Sequence, residues 1–74
     1  MEHDHEWLCF CKNIQTLRKT HQLSAPQMAR ILHISVKTLS LLEGGVLPKR
    51  ASAEIIFLLS RRFGIPPKDL FAPL

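Results

Sequence analysis

Two sets of side chains in this 74-residue chain are of types that could do chemistry. The first is His3, His5, Cys9 and Cys11, two imidazoles and two thiols that together make a zinc-type donor set. Their spacing opposes that use. His-x-His and Cys-x-Cys send neighbouring side chains to divergent sides of a helix, whereas structural zinc ligands usually sit roughly two to four residues apart across a tight turn. Cys11 also shares an apolar face with Trp7 and Ile14, where a buried thiol behaves as a small hydrophobe. Both cysteines are therefore expected to be structural, with a metal- or thiol-responsive switch as a third reading, and no metal or cofactor is expected. The chain also has no nucleophile beside a base, no phosphate-cradling glycine loop and no paired carboxylates, so an enzyme is not expected.

The second set is Lys37, Thr38 and Ser40, flanked by Val36 and Leu41. Lys37 can donate to guanine or to a phosphate, the two hydroxyls can take either role, and Val36 and Leu41 can touch thymine methyl groups. These five are the candidate base contacts. No Arg, Asn or Gln among them offers a bidentate reading, so specificity would be modest, or would lean on duplex shape and a second subunit. Gln27, Arg30, Lys49 and Arg50 are the candidate phosphate contacts, with Lys19 at the flank. The charge balance points the same way. Glu2, Asp4 and Glu6 hold three of the six acids, so residues 7 to 74 carry ten basic and three acidic groups, a net +7 against +4 for the whole chain. A polyanion is the natural partner for such a surface. The alternative is a generic basic surface kept for solubility.

Contacts of this kind need an outward-facing helix held from behind. The spacing within residues 23 to 43 predicts one, as two short helices separated by a turn too short for them to lie antiparallel, the pattern of a helix-turn-helix over residues 24 to 44. Met28, Ala29 and Leu32 give the inward face of the first helix, Ile34 sits in the connection, and Leu39 and Leu42 give the inward face of the second. Ser24 with Gln27 forms a capping-box pattern, Pro26 suits a first turn, and Ser35 caps the second helix. Gly44 and Gly45 then stop it.

Around this unit, Trp7, Phe10, Cys11, Ile14, Leu17 and His21 recur at helical steps and predict a scaffold helix over residues 6 to 20, with residues 1 to 5 disordered. A fourth helix is predicted over Ser52–Phe63 with Ala53, Ile56, Leu59 and Phe63 facing inward, and a short fifth over residues 66 to 71. Val46, Leu47, Ile55 and Leu58 fall outside these inward sets and suggest a self-association patch; the alternative is that they complete a small core. The length allows one domain, residues 1 to 74. Its longest apolar run, residues 55 to 59, is far short of a membrane span, and the acid-rich opening lacks the basic start of a signal peptide, so a cytoplasmic location and no membrane partner are expected.

These residues resemble the small DNA-binding domains of phage repressor and Cro type, also called Xre-like, across residues 13 to 71. The resemblance rests on LRK at 17 to 19, LS at 23 to 24, MA at 28 to 29, SVKTLSLLEGG at 35 to 45 and FGIPPKDLF at 63 to 71. It implies an all-α, compact five-helix bundle of the lambda-repressor-like type, whose third helix enters the major groove of double-stranded DNA while the second lies across the backbone. It further implies a structural ion pair between Arg18 and Glu43. The expected role is transcriptional regulation, and a homodimer formed through the apolar patch would set its two recognition helices about 34 Å apart. Two positions depart from the family pattern: His33 stands where glycine commonly makes the turn, and Ala25 replaces the usual polar residue that opens the second helix. The second reading is a protein-interaction module of the same fold, an antitoxin or regulatory adaptor, using its exposed apolar face.

Overall fold

Phe10, Cys11, Ile14 and Leu17 recur at three- and four-residue steps and form one buried wall of the core, which is why the first helix takes its position. The computed structural model describes the backbone of residues 2–46 and 52–74 and the side chains of residues 5–46 and 53–74. The elements are α1 (Glu2–Thr20), α2 (Ala25–Ile31), α3 (Val36–Glu43), α4 (Ser52–Phe63) and a 3-10 helix (Pro67–Phe71), with no strand among the described residues. The chain is all-α and compact, with a radius of gyration of 11.1 Å. No described helix is long and apolar enough to cross a membrane.

Three expectations need correction. Helix α1 begins at Glu2, so residues 2 to 5 are helical where disorder was expected. The acid-rich opening of the chain suits the positive end of a helix dipole. The inward face of α4 is also rotated: Ile55 and Leu59 are buried, Ile56, Leu58 and Phe63 are half-buried, and Ala53 is exposed. Ile55, at 1% exposure, belongs to the core and not to a self-association patch. Five consecutive apolar residues wrap more than one side of a helix, so their spacing alone fits several rotations.

The third correction concerns the chain end. A 3-10 helix stands where a fifth α-helix was expected, giving four α-helices in all among the described residues. Pro66 and Pro67 have no N–H to donate, and the segment closes through three-residue steps, Asp69 N–H to Pro66 O at 2.9 Å and Ala72 N–H to Asp69 O at 3.3 Å. Leu70 is fully buried and Phe71 stacks on Phe10 with ring centroids 4.9 Å apart. Asn13, 4% exposed, fastens this segment to α1 by donating from Nδ2 to Leu70 O at 2.8 Å and Ala72 O at 2.7 Å.

Each α-helix ends on a residue with positive φ: Gln22 (55°), His33 (58°), Gly45 (97°) and Gly64 (67°). After α2, Ile34 N–H donates to Ala29 O and His33 N–H to Arg30 O; after α3, Val46 N–H donates to Leu41 O and Gly45 N–H to Leu42 O. These are Schellman closures, which satisfy the last carbonyls and reverse the chain within a few residues. The same pair of bonds joins Leu23 to Arg18 and Gln22 to Lys19 after α1. A β-carbon on Gly45 would lie 3.1 Å from Leu8 Cδ2, so close packing as well as φ favours glycine there.

Candidate nucleic-acid interface

Helix α2 starts from a complete capping box: Gln27 N–H donates to Ser24 Oγ at 3.2 Å, and Ser24 N–H donates to Gln27 Oε1 at 2.8 Å. That leaves the Nε2 amide of Gln27 to donate outward. Met28 and Ala29 are buried on the other side, and Leu32 at the helix end is 1% exposed. The turn to α3 holds His33 in the left-handed region, the conformation a glycine would take without strain. Histidine adopts it at some cost.

Helix α3 is capped by Ser35, whose Oγ accepts from Thr38 N–H at 3.0 Å. Ser35 Oγ also donates to Thr38 Oγ1 at 2.9 Å. Thr38 is half-buried and committed to the cap, which narrows what its hydroxyl can offer outward. Leu39 and Leu42 are buried, at 1% and 0% exposure, and turn the opposite side of the helix to solvent. Val36, Lys37, Ser40 and Leu41 lie on that side, with Val36 45% and Leu41 47% exposed. The one acid of α3, Glu43, points back into the molecule.

There Arg18 Nε donates to Glu43 Oε2 at 2.8 Å and Nη2 donates to Oε1 at 3.1 Å, a bidentate pair joining α1 to the last turn of α3. Both side chains are mostly shielded, at 20% and 11% exposure. The bonds to the Glu43 carboxylate push the Arg18 guanidinium further up from its already high value. The outward side of α3 thus carries no carboxylate among the described residues.

Of the other expected contacts, Arg30 is exposed on α2, and Lys49, Arg50 and Leu47 lie outside the described residues. Val46 is 52% exposed just past the end of α3, where its N–H donates to Leu41 O at 2.8 Å. Leu58 is half-buried and floors a cleft with Arg30, Ile31, His33, Arg61 and Arg62. The structure therefore separates Val46, Ile55 and Leu58 into a surface residue, a core residue and a cleft residue. Among the described residues, no group of three or more His, Cys, Asp or Glu side chains is placed to hold a metal ion. Cys11 is buried and Cys9 half-buried, both as free thiols.

Over 59 residues the chain is 39% identical to the antitoxin PezA of Streptococcus pneumoniae serotype 4. It is similar to part of an antitoxin. The match spans 80% of this chain and 36% of that protein, so the chain corresponds to little more than a third of the relative's length. No protein-family profile matches the chain, and no solved structure matches it.

Sequence reasoning did not single out Asn13, Gln22, or the pairing of Arg61 and Arg62 with Arg30. Asn13 shows in the sequence only as a lone amide on an apolar face. The cleft has no sequence signal, because it depends on how α4 is rotated against α2.

Proposed function

We propose that the chain binds double-stranded DNA through α2, the turn and α3, as a transcriptional regulator of the phage repressor and Cro type. The observation that supports this reading is the outward side of α3: Val36, Lys37, Ser40 and Leu41 exposed together, free of carboxylates, on a helix braced from behind by Leu39, Leu42 and the Arg18–Glu43 pair. In this reading α3 enters the major groove and Lys37 and Ser40 meet base edges or phosphates. Val36 and Leu41 touch thymine methyls, and Gln27 and Arg30 hold phosphates. The role is binding, not catalysis, and its setting is the cytoplasm. Because the base-reading set is sparse, two copies on a palindromic site are the finer proposal, with the exposed Val46 one apolar residue that could join them.

A second reading draws on the antitoxin relative: the same fold engages a protein partner, as part of a small regulatory or antitoxin protein. Selecting duplexes from a random pool with the purified protein tests the first. A palindromic consensus supports both binding and pairing; a pool without enrichment contradicts sequence-specific reading, and one in which no duplex is retained contradicts binding and favours the protein partner.

A further inference from the structure

Between α2 and the end of α4 lies an open cleft of about 380 Å³ whose floor is Ile31 and Leu58 and whose rim is Arg30, His33, Arg61 and Arg62. Among the described residues none of the three arginines has a carboxylate within ion-pair distance. Glu54 lies 3.5 Å from His33 Nδ1, so the acid beside the rim pairs with the imidazole and not with a guanidinium. Three cations around two half-buried aliphatic side chains make a surface that is attractive to negative charge and offers apolar area between its charges.

A second copy is a poor occupant. A two-fold contact brings a patch against itself, so the three arginines of one copy would face those of the other. A duplex backbone is also a poor fit, since it presents phosphates and sugars and gives Ile31 and Leu58 little apolar surface to cover. An acidic amphipathic peptide matches both halves: leucine or phenylalanine side chains on the floor, and flanking carboxylates on Arg30, Arg61 and Arg62.

We propose that this cleft docks an acidic, amphipathic segment of a protein partner. The site does not rest on DNA binding, although Arg30 is shared with the phosphate contacts proposed above, so a docked segment and a duplex compete for that side chain.

The probe is a fluorescent peptide of about twelve residues with leucines along one helical face and glutamates on the other, compared with polyglutamate of equal charge. Anisotropy is read with the full chain and with the double variant Arg61→Glu and Arg62→Glu. Both positions are exposed, and the variant is first checked for a wild-type helical circular dichroism spectrum. The amphipathic peptide is expected to bind at least about tenfold more tightly than polyglutamate and to lose about tenfold or more in the double variant. Leu58→Ser is expected to weaken the amphipathic peptide and leave polyglutamate unchanged. Equal binding of the two peptides, or no loss in the double variant, overturns the proposal. A double variant that instead weakens duplex binding alone reassigns the cleft to phosphate, and one that instead abolishes a dimer seen by sedimentation reassigns it to a second copy; either overturns it too. Duplex binding by Lys37→Ala reports separately on α3, so failure at one site is distinguishable from failure at the other.

Discussion

Arg18 grips Glu43 with two parallel hydrogen bonds, of 2.8 and 3.1 Å, so the residue that ends α3 is anchored to the long scaffold helix. Arg18 Nη1 also donates to Leu23 O at 3.5 Å, where the chain enters α2. One guanidinium thus ties α1 to the end of α3 and to the segment that leads into α2. The pair is mostly shielded but not dry, which sets its worth between an exposed and a fully buried ion pair. Arg18→Ala should cost about 1–2 kcal/mol in thermal or urea unfolding. Glu43→Gln should cost less, because the amide oxygen still accepts one bond. An unchanged unfolding curve for Arg18→Ala would show that the pair does not brace α3.

His33 sits at φ 58°, where a β-carbon is disfavoured. His33→Gly should raise stability by up to about 1 kcal/mol, the relief of strain exceeding the added freedom of the unfolded chain. The pairing of His33 with Glu54 joins two exposed side chains, so removing it does little to oppose this gain. A lower melting temperature would mean that His33 is held by its surroundings more than it is strained by its backbone.

Asn13→Ala removes both donors to the chain end and leaves Leu70 O and Ala72 O without their partner. A loss of about 1–3 kcal/mol is expected. Trp7 lies 4.7 Å from Phe10 and 6.0 Å from Phe71 by ring centroids, so its emission should report the same loosening. Wild-type stability with unchanged emission would contradict the fastening role.

Burial raises the Cys11 thiol above its ordinary value of 9.0, so it stays protonated and slow to react at neutral pH. Cys9, half-buried on the same helix, should be alkylated first, and Cys11 only on unfolding, as peptide mass mapping would show. The folded chain holds this proton more tightly than the unfolded one, so the contribution is full below pH 9.0 and declines as pH rises above it. Equal labelling of both thiols in the folded chain would contradict the packing of α1.

Legibility in the sequence tracked how far a feature depends on local chemistry. The two serine caps and the buried pairs Met28–Ala29 and Leu39–Leu42 stand where spacing and cap residues place them, because each is decided within one or two turns. The rotation of α4 was not legible, since residues 55 to 59 are apolar all round and only packing against the rest of the core selects Ile55. Gln22 was equally hidden: its left-handed backbone is imposed by the closure of α1, not by a glycine in the sequence. The exposed side of α3 could be read residue by residue, except that Thr38 spends part of its hydroxyl on Ser35.

Whether α3 presents its outward side to duplex DNA is read from equilibrium binding to duplexes over a range of salt concentrations. Each neutralised phosphate contributes roughly 0.9 to the slope of log affinity against log salt. The expected result is a steep, salt-sensitive affinity that Lys37→Ala weakens, with a slope shallower by about one if Lys37 holds a phosphate or with blurred base preference if it reads guanine. Binding indifferent to salt, or a Lys37→Ala variant that binds the same duplexes with the same slope and preference, would contradict it.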